Sequence, residues 1–430
     1  MSSRVGAAFE MRPGEGRAVV WAALTFFAVL TSYFVLKPVR DALVLDGDAD
    51  FIPWLFTATF AAMVAIAGPW GALVARKPRG ALVPVVYRAF AAQLLIFAVL
   101  FGADVAPIRV GQVFYVWLSV MNLFVVSVFW SLCADLTRPE QGRRLFGPIA
   151  AGGTAGALVG PTITRLAHDV EPAALLVLAA VLLELAVWTA RGFLASAPAT
   201  TATPAAPTER GLGGSPWTGL VRVVRSRELA AIAGYALCAA CLATFVYLRV
   251  GNIVRAELPD RAERTAFYAE VEIWTGLATL ALQLTSTARL LRWLGAGVVL
   301  AILPLVQSTG VIVLVLAPSL TVAIAVSATG RAATHALSRP SRELLFTALP
   351  RDDRYRAKNV IDTLVYRFGD VGSAWLHRGL MAIAVPIAAV TVPLAAAWTA
   401  LALVLGRGHR RRIAAVEEGA ASGIDGKLPP

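Results

Sequence analysis

The sequence predicts an all-α integral membrane protein of about twelve transmembrane helices in two six-helix bundles. Three observations point there. Of 430 residues, 58% are hydrophobic and only 15% charged, and the mean hydropathy is +0.69; soluble domains carry about 25% charged residues. Apolar runs of about 20 residues, long enough to cross a bilayer as helices, recur along the whole chain. The net charge of +12 comes from basic residues spread through short connections rather than gathered on one face. That spread excludes nucleic acid as a partner and leaves the lipid bilayer.

The runs lie at 18–45, 52–75, 81–102, 110–134, 145–167 and 172–191, then at 229–250, 267–288, 293–316, 319–338, 357–377 and 382–406. The first is too long for a signal-peptide core and lacks a small-residue cleavage site, so it is expected to remain as the first span. Between the two sets, Pro198, Pro204, Pro207, Gly211, Gly213, Gly214 and Pro216 mark a segment that cannot stay in lipid. The expected organisation is an N-terminal bundle over 1–195, a cytoplasmic linker over 196–228, a C-terminal bundle over 229–406 and a cytoplasmic tail over 407–430.

Loop charges orient the spans. Arg76, Lys77 and Arg79 follow the second, Arg143 and Arg144 the fourth, Arg289 and Arg292 the eighth, Arg351 to Lys358 the tenth, and Arg407 to Arg412 the twelfth. Basic loops stay inside, so both termini are expected in the cytoplasm of a bacterium, with the chain in its inner membrane. The opposite loops are acidic, as at Asp46, Asp48 and Asp50; the loop after the seventh span, with Arg255, Arg261 and Arg264, departs from the rule. Cys133, Cys238 and Cys241 all fall in spans and read as small apolar packing residues, since no second Cys or His pair completes a zinc set. No metal and no cofactor is expected.

Charge inside the spans carries the functional signal. Lys37, Arg40 and Asp41 interrupt the first run; Glu270 and Glu272, Arg331 and His335, and Asp362, Arg367 and Asp370 interrupt later ones. A charge at bilayer depth costs at least about 2.5 kcal/mol, so it faces a protein interior or a wet cavity. Such charges in both halves suggest a pathway for a small polar, anionic solute. Gly152, Gly156 and Gly160 recur every four residues in the fifth span, a stripe suited to close helix packing.

Several segments resemble known families. GALVARKPRG (71–80), with a weaker echo in TARLLRWLG (287–295), resembles the basic loop of the major facilitator superfamily. The resemblance implies a substrate site near the midplane between two halves. Gly147, Gly156, Gly160 and Pro161 are similar to a signature of proton-coupled drug antiporters, with Thr164 and Arg165 where that signature ends in glycines. SYFVLKPVRDALVL (32–45), FWSLCADLTRPEQGRRLFGPIAAGGTAGALVGP (129–161) and SRPSRELLFTALPRDDRYRAKNVIDTLVYRFGDVGSA (338–374) resemble the ATP/ADP translocase family of nucleotide transporters.

That last resemblance implies a secondary transporter of a nucleotide or nucleotide-like anion, working by exchange or alternating access. Arginine is suited to such a cargo because it grips phosphate bidentately. Lys37 and Arg40 are expected to contact the anion with Asp41 orienting one of them, and Pro38 to permit a kink there; a structural ion pair at the outer mouth is the alternative. Arg342 and Glu343 stand where the resembled motif has a Lys-Glu pair, and Lys358, Asp362 and Arg367 follow; Lys358 and Asp362, four apart, share a face. Arg331 completes the expected substrate set. Glu140, Arg143 and Arg144 form an expected cytoplasmic gate, and Glu270, Glu272 and His335 are candidates for proton coupling. Asp370 stands where the family has a cation, which favours an anion other than ATP or ADP.

No catalytic motif is present: there is no H-E-x-x-H, no phosphate-binding G-x-x-x-x-G-K-[ST], and the four His are scattered. Two other readings remain open, a proton-coupled drug or small-molecule antiporter and a membrane scaffold or sensor that moves nothing. The sequence carries no signal for oligomeric state.

Overall fold

The structure, a computed structural model, describes residues 12, 15–76, 79–137, 139–196, 216–347, 357–358 and 360–422, which are helical almost throughout. The first six helices are α1 (Gly16–Val44), α2 (Ile52–Arg76), α3 (Arg79–Gly102), α4 (Pro107–Leu136), α5 (Pro139–Leu166) and α6 (Pro172–Ser196). A short helix α7 (Pro216–Arg225) lies within the expected linker, the rest of which up to residue 215 is outside the described residues. Then follow α8 (Arg227–Glu257), α9 (Arg261–Thr285), α10 (Thr287–Leu316), α11 (Leu320–Ala333), α12 (Arg339–Thr347), α13 (Tyr366–Ala382) and α14 (Ile387–Ser422). Two π-helical turns, Thr334–Ser338 and Ile361–Val365, lead into α12 and α13.

Among the described residues, eight helices are long and apolar enough to cross a membrane: α1, α2 with the turn before it, α3, α4, α6, α8, α10 and α14. The other four expected spans, 145–167, 267–288, 319–338 and 357–377, fall on α5, α9, α11 with its π turn, and α13 with its π turn. Those four hold Arg165, Glu270, Glu272, Arg331, His335, Asp362, Arg367 and Asp370. Charge inside the apolar spans themselves is found on α1, at Lys37, Arg40 and Asp41.

The chain divides into two compact units. One holds α1 to α6 together with residues 254–276; the other holds residues up to 253 of α8 and everything from 277 onward. In the first unit α1 packs on α5, α6 and α4, and α3 packs on α6. Phe26 of α1 stacks on Phe129 of α4 with ring centroids 4.5 Å apart, and the Tyr87 hydroxyl donates to the Val125 carbonyl at 3.0 Å. α1 runs through Pro38 as one continuous helix. In the second unit Trp398, Tyr235, Leu300 and Phe346 are fully buried. There α10 bends at Gly295, whose φ of 76° lies in the region that favours glycine.

The glycine stripe of α5 is what lets α1 lie so close. A Cβ at Gly156 would stand 2.5 Å from the Phe27 carbonyl oxygen, one at Gly160 2.8 Å from Phe34 Cβ, and one at Gly152 would collide with the Ala23 carbonyl. These glycines are therefore taken up by helix packing. Gly147, one turn earlier, has nothing within 4 Å of such a Cβ. Gly156→Val is expected to lower stability by about 1–3 kcal/mol through overpacking, seen as a lower melting temperature of the purified protein, whereas Gly147→Val should melt like the parent.

Candidate functional site

In the first unit, of the three charged residues of α1, Lys37 meets an acid that sequence spacing does not name, while Arg40 and Asp41 pair with each other. Lys37 Nζ lies 2.6 Å from Glu272 Oε1, with both side chains largely shielded. It also sits 5.7 Å from the centroid of the Phe34 ring. Arg40 donates from Nε at 2.9 Å and Nη2 at 2.6 Å to Asp41 Oδ1, and from Nη1 at 3.3 Å to Ser119 Oγ. Its guanidinium lies 4.6 Å from the Tyr115 ring centroid. Of the two cations that Asp41 could orient, it holds Arg40, and Lys37 pairs with Glu272.

The acids of α9 are matched in the same way. Glu270 accepts from Arg165 Nε of α5 at 2.7 Å. Just beyond the C-terminal end of α1, Asp46 accepts from Arg261 Nε at 2.7 Å and lies 3.0 Å from Arg264 Nη2. Glu270 and Glu272, assigned to proton coupling from sequence, each hold a cation here. Buried Tyr268 stands within electrostatic reach of Asp41, Tyr115, Arg264 and Arg255.

Arg255 is the residue that sequence reasoning missed. It reads as a charge in an outer loop, but the structure places it on the last turn of α8. Its Nε and Nη2 are buried and have no hydrogen-bond partner among the described residues, and the same holds for Nε of Arg249 in the second unit. Buried donors are nearly always satisfied, so a guanidinium with two open donors marks a place for an acceptor. The signal available in sequence was its position, only five residues beyond the expected end of an apolar span at residue 250.

In the second unit two pairs interlock α12 with the segment that follows. Arg342 Nη2 lies 2.7 Å from Asp362 Oδ1, and Lys358 Nζ 2.6 Å from Glu343 Oε2. Lys358 and Asp362, expected to face each other four residues apart, instead each take a partner on α12. Arg367 reaches Asp370 at 3.3 Å. Arg342, Arg367 and Asp370 all lie within electrostatic reach of Tyr366. Arg331 falls in the last turn of α11 and His335 within the first π turn; Asp362 is in the second. Such turns widen the helix and leave carbonyls misaligned, and they recur at functional sites. One is met by Thr287, whose hydroxyl donates to the Ala336 carbonyl at 3.0 Å.

Of the expected gate, the side chains of Glu140 and Arg143 lie outside the described residues. Arg144 binds Glu15, just before α1, through Nη2 at 3.0 Å and Nη1 at 3.2 Å. Gln141 Nε2 at 3.1 Å and the Arg12 backbone N–H at 2.9 Å complete the shell around that carboxylate.

The fold is that of an all-α membrane protein of the major facilitator type, and the solved structures it resembles are transporters. A variant of the nucleoside transporter NupG superposes over 92% of this chain and 99% of its own length with a TM-score of 0.63 at 14% identity. A peptide-bound transporter of the POT family does so over 91% and 96% with a TM-score of 0.61 at 13% identity. In sequence, ADP,ATP carrier protein 1 of Chlamydia trachomatis and its counterpart in Chlamydia muridarum are each 22% identical to this chain, over 334 and 333 residues. Those matches cover 68% of this chain and 62% of each carrier. No family model matches the chain. The resemblance read from three segments thus extends, weakly, over two thirds of the sequence.

Burial pushes the Glu15 carboxyl up, but the Arg12 N–H, Arg144 and Gln141 outweigh it and hold its pKa below the ordinary 4.5. A depressed carboxyl stabilises the fold above its unfolded pKa of about 4.3, and that stability is lost as pH falls through the folded value. Glu15→Gln is therefore expected to melt lower than the parent at pH 7, with the gap closing below about pH 4 in a pH series of melting temperatures.

Proposed function

We propose that the protein is a secondary transporter of an anionic, nucleotide-like solute, working by exchange. The observation that carries this reading is Arg255, with two buried donors left open and within electrostatic reach of Tyr268, as Asp41 and Arg264 also are. A phosphate oxygen would satisfy such donors bidentately. Arg40 lies on the same side of the problem: Asp41 and Ser119 hold its plane rigid against Tyr115, which is what an orienting acid does for a cation that must meet a cargo. Lys37 is held by Glu272, and an incoming anion would compete with that carboxylate for it. Within the second unit, Arg331, Arg342, Lys358 and Arg367 are the cations we assign to the solute; Asp362 is the counter-charge of Arg342, and Glu343 that of Lys358. The chlamydial relatives are carriers of ADP and ATP by name, and NupG a transporter of nucleosides; a nucleotide-like cargo for this chain accords with both.

The other two readings fit less well. Gly156 and Gly160 of the antiporter-like signature are occupied by α1, and both carboxylates of α9 hold cations. A scaffold would be expected to close all its charges upon one another, which Arg255 does not do. We further propose that the chain is a multi-pass protein of the plasma membrane with both termini in the cytoplasm, following the basic loops.

The test is uptake of labelled ATP, and then of other nucleotides and phosphorylated anions, into proteoliposomes with and without unlabelled nucleotide inside. Uptake that requires an internal anion establishes exchange. Arg255→Ala and Lys37→Ala should each reduce uptake roughly tenfold or more, since a hydrogen bond to a charged group contributes about 1.5–3 kcal/mol. Normal uptake by both variants would overturn the site, and no uptake of any anion by folded protein would overturn the function.

A further inference from the structure

In the first unit α3 and α6 pack along each other, and their outer faces carry a pattern that lipid does not account for. Val85 and Val99 on α3, and Val181 and Trp188 on α6, are exposed, as expected of a surface turned toward hydrocarbon. Between them stands one ion pair. Arg88 donates from Nε to Glu184 Oε2 at 2.9 Å and from Nη2 to Oε1 at 2.6 Å. The two side chains are 50% and 51% exposed.

Depth makes this pair unusual. Both helices are long and apolar enough to span the membrane, over Gly80–Gly102 and Pro172–Ser196, and Glu184 is at the middle of the second. A glutamate there is too short to reach the headgroups, and intramembrane charges otherwise turn toward protein or a wet cavity. Flanking Val85, Val181 and Trp188 argue against a wet cavity on this face. Arg88 uses two of its five donors on Glu184, and the carboxylate keeps lone pairs to spare.

We propose that the α3–α6 face docks a second copy of this chain about a two-fold axis along the membrane normal. Such an axis, passing between Arg88 and Glu184, brings Arg88 of one copy opposite the partner copy's acid and its own acid opposite the partner copy's cation. The pair is its own complement, as an isologous contact requires. Four alternating charges then close on one another within a dry apolar rim, the arrangement by which polar side chains join helices in membranes. An anionic lipid would account for the cation but not for the acid beside it.

The experiment counts copies of the labelled full chain by single-molecule photobleaching in phosphatidylcholine vesicles, over a range of protein-to-lipid ratios. The expected result is a dimer, weakened about tenfold or more by Arg88→Glu or by Glu184→Arg alone. The double variant R88E/E184R should restore it, because exchanging the charges preserves the pair both within and between copies. If a single variant does not fold, the parent and the double variant still decide. A parent that stays monomeric at every ratio would overturn the proposal, as would a dimer that both single variants retain. So would a monomer that keeps an anionic lipid through purification only while Arg88 is present.

Discussion

A charge withdrawn from water into hydrocarbon must be matched by an opposite charge or by hydrogen-bond donors and acceptors, and this constraint decides which helices of the chain meet. Lys37 is the plainest case. Its ammonium is largely shielded and its acid partner, Glu272, lies 235 residues further along. Removing one member of such a pair costs about 3–5 kcal/mol, because the other is left buried and uncompensated. The pair therefore binds residues 254–276 to the unit built from α1 to α6, together with Arg165–Glu270 and the two arginines on Asp46.

Close packing supplies the frame in which those pairs are held. α1 is the helix most engaged in the first unit, and the α5 glycines let its backbone approach within reach of Thr164, whose hydroxyl donates to the Val35 carbonyl at 2.8 Å. That contact lies two residues from Lys37 on α1 and next to Arg165 on α5. The residues that set the distance between α1 and α5 thus also set the positions of two cations.

The second unit solves the same problem differently. Besides the close approach of Gly297 on α10 to Gly406 on α14, it uses two π-helical turns, which shift the helical register just ahead of α12 and α13. The shift carries Asp362 out of line with Lys358 and toward Arg342. Its neighbours Arg367 and Asp370 remain one turn apart on α13 and pair locally. Asp370, an acid where the resembled family has a cation, is thereby offset by the arginine three residues before it.

Much of the architecture was legible in the sequence. Hydropathy and loop charge located the apolar spans, and the every-fourth-residue spacing of Gly152, Gly156 and Gly160 marked a close helix contact, since both signals are local and periodic. The identity of the charged residues was legible too, because a charge in an apolar run stands out wherever it falls. Their partners were not. Spacing of three or four joined Lys37 to Asp41 and Lys358 to Asp362, but side chains at bilayer depth choose the nearest counter-charge in space, which for Lys37 is on α9 and for Lys358 on α12. Arg255 was hidden for the same reason, because only the extension of α8 past its apolar run shows that its donors are buried. What the sequence by itself determined was which residues must leave water; which partners they found there was decided only by the tertiary structure, since that depends on distances between helices that no local pattern encodes.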